Sequence, residues 1–172
     1  MKLIEAMKQI KLLTAKAEDL RQKISKYCAD LDFETPTYGT ADEQRDTVRG
    51  WVQSHSDVLR EILRLRIGIQ KTNLQTQVTI QLGEKSVTKS IAEWIHRRRD
   101  LATLELQSWQ MLSDRNLKEG RVKTTSGAEQ DFRIRRYFSP AERDKAMELY
   151  RSEPSIIDGT LEITNAVTDM IE

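Results

Sequence analysis

Residues 40–72 read TADEQRDTVRGWVQSHSDVLREILRLRIGIQKT, and this stretch decides the fold. Val48, Val52, Leu59, Ile62, Leu63 and Ile69 recur at helical spacing on one face, and Trp51, Val58 and Leu65 extend that face sideways. Thr40 and Glu43 form a capping box, in which the hydroxyl accepts a first-turn amide and the carboxylate reaches back to the cap residue. The spacing predicts a helix from Thr40 to about Thr72. So wide an apolar face calls for more than one partner.

Upstream, Leu3, Met7, Ile10, Leu13, Ala17, Leu20, Ile24, Cys28 and Leu31 recur at spacings of three and four. They predict a first amphipathic helix over Met1 to Leu31, about 45 Å long at ~1.5 Å per residue. Pro36 and Gly39 put a loop between the two helices. Downstream, Val78, Ile80 and Leu82 alternate with polar residues before Gly83-Glu84-Lys85, a short strand and turn. Ser90 and Glu93 cap a third helix through Ile91, Trp94, Ile95, Leu101, Ala102 and Trp109 to near Asp114. Residues Glu119 to Phe138 read as a β-hairpin, with Val122 to Thr124 as one arm, Ser126-Gly127 at the turn and Phe132 to Phe138 as the return arm. Ser139-Pro140-Ala141-Glu142 opens a helix through Tyr150. Pro154 separates it from a final segment, Ser155 to Glu172.

The expected architecture is mainly α with a small β component: long antiparallel amphipathic helices plus a β-hairpin, in an oligomer. It is one domain over 1–172, with a helical hairpin at 1–75, a strand, helix and hairpin at 76–138 forming the ligand region, and C-terminal helices at 139–172. With 38% hydrophobic and 32% charged residues, the helices need other helices or other copies to complete their cores. No internal repeat is expected.

Lys and Arg total 28 against 27 Asp and Glu, so the net field does not hold a nucleic-acid duplex or an anionic membrane. Anion recognition must be local. The one cysteine, Cys28, forms no intrachain disulfide, and the chain reads as cytoplasmic, with no signal peptide or membrane span. Phosphate loops, nucleophile elbows and His-Glu-x-x-His helices are absent, and His55 and His96 lie on different expected helices. We therefore expect no catalytic residue, no metal and no cofactor.

The informative residues are arginines that interrupt apolar stripes. Arg98 lies four residues after Trp94 and three before Leu101, on the expected buried face of the third helix. It is either bridged to Glu105 or another subunit's carboxylate, or aimed at a phosphate. Arg66, with His55 further up the same stripe, either fixes register in a helical interface or faces the ligand. Arg97 and Arg99 read as surface charges, and Trp94 and Trp109 as core. On the return arm, Arg133, Arg135 and Tyr137 share one strand face, opposite Phe132, Ile134, Arg136 and Phe138. Two guanidinium forks beside an aromatic ring suit a diphosphate and its base, and a solvated edge strand is the plainer alternative. Arg115 and Arg121, in the connection after the third helix, bridge the helix and strand sites, and Arg136 joins Arg133, Arg135 and Tyr137 among the expected ligand contacts.

Several segments resemble a known family: Met1-Lys2-Leu3-Ile4-Glu5-Ala6, Ile69-Gln70-Lys71-Thr72-Asn73, Ile91 through Arg99, and Arg133-Ile134-Arg135-Arg136-Tyr137. They are similar to the first family of phage anti-defence sponges that neutralise the Thoeris system, and the first two segments also to a bacterial family labelled septicolysin. The resemblance implies a homodimer or hexamer whose subunit interfaces hold glycocyclic ADP-ribose, the signal made by TIR-domain enzymes, without cleaving it in the bacterial host cytoplasm. It extends to cyclic trinucleotides at separate sites. By matching segments it implies contacts from Arg98, Arg115 and Arg135, and places Thr88 where the family can carry an aromatic against the ligand. The competing readings are a helical structural or adaptor protein of a phage or prophage, with no small-molecule ligand, and a nucleic-acid binder.

Overall fold

The computed structural model describes residues 1–171. Helix makes up 63% of the chain and is joined by two small antiparallel sheets, so the protein is mainly α with a small β component. The chain divides into two compact units, residues 1–76 together with the stretch from Glu162, and Gln77–Leu161.

In the first unit, α1 (Leu3–Tyr27) and α2 (Ala41–Gln75) pack as an antiparallel pair. Ala17 and Leu20 meet Val58 and Ile62, with Ile10, Leu13 and Trp51 packed around them. Helix α1 stops four residues before Leu31, because its end is taken over by the buried Gln44 of α2. The Gln44 amide nitrogen donates to the Tyr27 carbonyl at 3.2 Å, and its oxygen accepts the Thr37 and Tyr38 amides at 2.8 and 3.3 Å. One side chain thus closes a helix end and pins the loop, which holds the rings of Tyr27, Tyr38 and Trp51 5.1–5.8 Å apart. The expected capping box forms, with the Glu43 amide donating to the Thr40 hydroxyl at 3.3 Å and the Thr40 amide to the Glu43 carboxylate at 2.7 Å. At the far end of the unit, the Leu3 amide donates to the Thr168 carbonyl at 3.0 Å and the Met170 amide to the Met1 carbonyl at 2.8 Å. Gly68 is required there, since a Cβ would lie 2.8 Å from the Ile171 carbonyl oxygen.

The wide apolar face of α2 is only half covered. Val58, Ile62 and Leu65 are buried, whereas Val52, Leu59 and Leu63 of the same expected stripe are exposed, as is Arg66. The sequence-read face centred on Leu59 is therefore rotated away from the buried face, which runs through Gln44, Val58, Ile62, Leu65, Gly68 and Thr72.

In the second unit, β1 (Gln77–Leu82) and β2 (Lys85–Ser90) form a two-stranded hairpin. The sequence reading found only the first strand, because β2, Lys-Ser-Val-Thr-Lys-Ser, carries one large apolar residue. Ser90 caps α3 (Ile91–His96) as expected. Trp94 is fully buried, and its indole donates to the Val78 carbonyl at 2.9 Å. The expected single helix is then interrupted by a π-helical turn at Arg97–Leu101 before α4 (Ala102–Gln110).

Strands β3 (Gly120–Lys123) and β4 (Glu129–Phe132) make the second hairpin. Its return arm precedes the expected one, and residues 133–138 are not strand. Helix α5 (Pro140–Val167) is continuous where a break was expected at Pro154. An internal proline costs about 3 kcal/mol in an isolated helix. Here Glu153, Ile157 and Leu161 are buried on both sides of it, which holds the helix through the missing amide.

Candidate functional site

The π turn decides where the arginines of the third helix go. A π turn has five residues per hydrogen-bonded step, so it delays the following residues around the axis by roughly one position. The Ala102 amide donates to the Arg97 carbonyl, and the inward line runs from the buried Ile91 and Trp94 through Arg97, of intermediate burial, to the buried Ala102. Arg97, expected at the surface, is the half-buried arginine. Its guanidinium grips both oxygens of Glu153 at 2.7 Å, approaches Glu105 at 3.6 Å and lies 5.8 Å from the Tyr150 ring centre. Glu153 is 1% exposed, so this is a buried ion pair. Arg98, expected on the buried face, has a side chain 40% exposed and donates to Asp158 at 2.6 Å.

The other expected site residues scatter in part. Thr88 is exposed in β2, its hydroxyl 2.7 Å from that of Thr79 across the ladder. Arg121 is held by Asp131 at 2.8 Å and Glu129 at 3.7 Å on the paired strand. Arg133 lies exposed beyond β4, outside the concavity described next.

Arg115, Arg135, Arg136 and Tyr137 come together. They line a concavity of about 330 Å3 between the end of α4 and the segment before α5. Its shape depends on three features. Arg115 and Asn116 both adopt left-handed backbone, with φ of 54° and 60°, so the connection folds sharply back. Arg136 grips Asp114 through two hydrogen bonds of 2.6 Å, tying that connection to the extended segment. Arg143 donates to the Leu112 carbonyl at 3.0 Å and stacks 5.6 Å from the Phe138 ring centre, fixing the wall below. The Arg136 hydrogen bonds, with the charges of Arg136 and Arg143, hold the Asp114 carboxyl below the usual aspartate range.

With Arg136 occupied, Arg115 and Arg135 have no carboxylate partner among the described residues. The Tyr137 ring beside them is 89% exposed. Left-handed non-glycine residues cost about 1–3 kcal/mol each and cluster at functional sites. Arg136 was expected among the ligand contacts but is committed to shape, and Asp114 was not expected at all. A partner 22 residues away in sequence leaves no periodic signal. A larger cleft of about 580 Å3 has an apolar wall of Leu82, Trp109, Leu149 and Ile156 and a charged rim of Glu84, Lys85, Glu142, Lys145 and Glu148, with no arginine. Depressions beside the interhelical loop include Arg45 and Arg49, which face Asp42 at 2.5 Å and Asp46 at 3.9 Å.

No group of three or more His, Cys, Asp or Glu among the described residues could hold a metal, and no described helix is long and apolar enough to cross a membrane. No family model, curated protein or solved structure matches the chain.

Proposed function

We propose that the protein binds a cyclic nucleotide signal at the basic concavity and withholds it without cleavage, as an oligomeric anti-defence sponge. Glycocyclic ADP-ribose is the first ligand to consider and a cyclic trinucleotide the second. The observation that carries this reading is the pairing of two uncommitted guanidiniums, Arg115 and Arg135, with the exposed Tyr137 ring on one built wall. Planar guanidinium matches phosphate oxygens with two parallel hydrogen bonds, and a phenol ring offers a face for a base. Sequestration needs nothing further: free signal falls when the binder is in excess and its Kd lies below the effector's threshold. The open half of the α2 apolar face supports an oligomer.

Calorimetric titration of the purified protein with glycocyclic ADP-ribose tests the proposal. Saturable binding that is weakened at least about tenfold in Arg135→Ala supports it, and the same affinity in both proteins removes the concavity from the site. A helical adaptor, the alternative class, gives no heat with any nucleotide.

A further inference from the structure

Charge is unevenly spread along a chain whose total is nearly neutral. Residues 111–138 hold seven of the 28 basic residues and four of the 27 acidic ones, a charge of +3, which leaves −2 on the other 144 residues. Within this stretch the two arms of the hairpin cancel. Arg121 bridges Asp131 at 2.8 Å and Glu129 at 3.7 Å, and Lys123 stands opposite Glu129 in the ladder. The surplus therefore sits at the base of the hairpin, beside the concavity, where Arg115, Lys118, Arg133, Arg135 and Arg136 are set against only Asp114 and Glu119.

Two of these cations lie outside the wall of the concavity. Lys118 follows the lining residue Leu117, and Arg133 precedes the lining residue Ile134. The Ile134 amide donates to the Glu119 carboxylate at 3.2 Å, which laces the two stretches together and sets Lys118 and Arg133 on either side of the join. Both side chains are exposed, and neither has a carboxylate partner among the described residues. Nothing in the fold depends on them. We propose that Lys118 and Arg133 steer anionic ligands into the concavity without touching them once bound, so that they set the rate of capture and not its duration.

The inference rests on the reading of the concavity as a nucleotide site and adds a division of labour to it. Short-range forks such as Arg115 and Arg135 resist dissociation, whereas rim charges act on the approaching ligand through the solvent and change the association rate. For a ligand with about two negative charges, removing two cations at ~10 Å slows association about fivefold at ~20 mM ionic strength, where the Debye length is ~20 Å. At ~0.3 M the length falls to ~6 Å and the effect to less than about twofold. The surface thereby favours small solutes carrying two or more negative charges over neutral or singly charged ones. A protein that withholds a signal competes with the effector for each molecule as it is made, and the faster binder takes it first.

Rapid mixing of the full chain with radiolabelled glycocyclic ADP-ribose, followed by filtration, gives the association and dissociation rates separately. In Lys118→Gln combined with Arg133→Gln, association is expected to slow about fivefold at ~20 mM ionic strength and less than about twofold at ~0.3 M. The dissociation rate is expected to stay within about twofold of wild type. Glu119→Gln is expected to act in the opposite direction, raising association about twofold at low salt, because it removes one negative charge while its amide oxygen still accepts the Ile134 amide. An unchanged association rate in the double variant at low salt, or a loss carried by faster dissociation, overturns the inference and leaves the proposed function standing. No retained ligand with the wild type at any concentration overturns both.

Discussion

Arg136 clasps Asp114 with two hydrogen bonds of 2.6 Å, joining segments 22 residues apart, and it thereby leaves Arg115 and Arg135 as the cations of the concavity. The pair is more than one third exposed on both sides, so its own contribution to stability is small. Its effect is geometric. Asp114→Asn is expected to leave the melting temperature nearly unchanged, because exposed pairs contribute about 0–1 kcal/mol. The same change is expected to lower nucleotide affinity about tenfold by releasing the wall, as read by calorimetry.

The clasp also sets a pH limit. The folded-state value of Asp114 is depressed, so its contribution is complete above the unfolded-state value near 3.9 and is lost as the pH falls through the lower folded value. Chemical shifts of the 111–117 segment are therefore expected to hold steady from neutral pH to about pH 4 and to change only below it. A transition centred above pH 5 contradicts the clasp.

Each free arginine is expected to contribute to binding independently of folding. Arg115→Ala and Arg135→Ala should each weaken a phosphate ligand by about 1.5–3 kcal/mol, the range for hydrogen bonds to charged groups, with unchanged thermal stability. Arg121→Ala serves as the contrast. Its guanidinium is engaged by Asp131 and Glu129, and its loss should leave affinity within twofold.

The strained connection gives a substitution of opposite sign. Asn116 holds φ at 60°, and Asn116→Gly is expected to relieve strain and raise stability by a few tenths to about 1 kcal/mol in urea unfolding. Ligand affinity should persist, since the amide side chain carries no role in the site.

The buried pair is expected to dominate stability in the second unit. Arg97→Ala leaves the Glu153 carboxylate, 1% exposed, without its partner and should cost about 3–5 kcal/mol. Arg98→Ala removes only an exposed contact to Asp158 and should cost less than about 1 kcal/mol. Equal losses for the two would put the π turn in the wrong place.

What could be read from the sequence follows from how local the cause is. The Thr40 and Ser90 caps, the mainly helical class and the strand at Val78 to Leu82 come from short spacings and are found in the fold. Arg97 and Arg98 exchanged roles because helical phase was carried through a π turn, which no local pattern announces. The return strand was misplaced because the alternation of Arg133 to Phe138 imitates a ladder. That stretch instead takes its shape from Asp114 and from Phe138 against Arg143. Pro154 failed to end its helix because the packing of Glu153, Ile157 and Leu161 outweighs one lost amide. Of the eight ligand residues expected, four meet in one concavity, and the aspartate that shapes it could be found only in three dimensions.

The most direct measurement is to saturate the protein with glycocyclic ADP-ribose, remove free ligand, denature by heat and identify what is released. The account predicts intact glycocyclic ADP-ribose, recovered in proportion to wild-type protein and in smaller amount from Arg135→Ala. Recovery of a hydrolysed product, or of no nucleotide from the wild type, contradicts it.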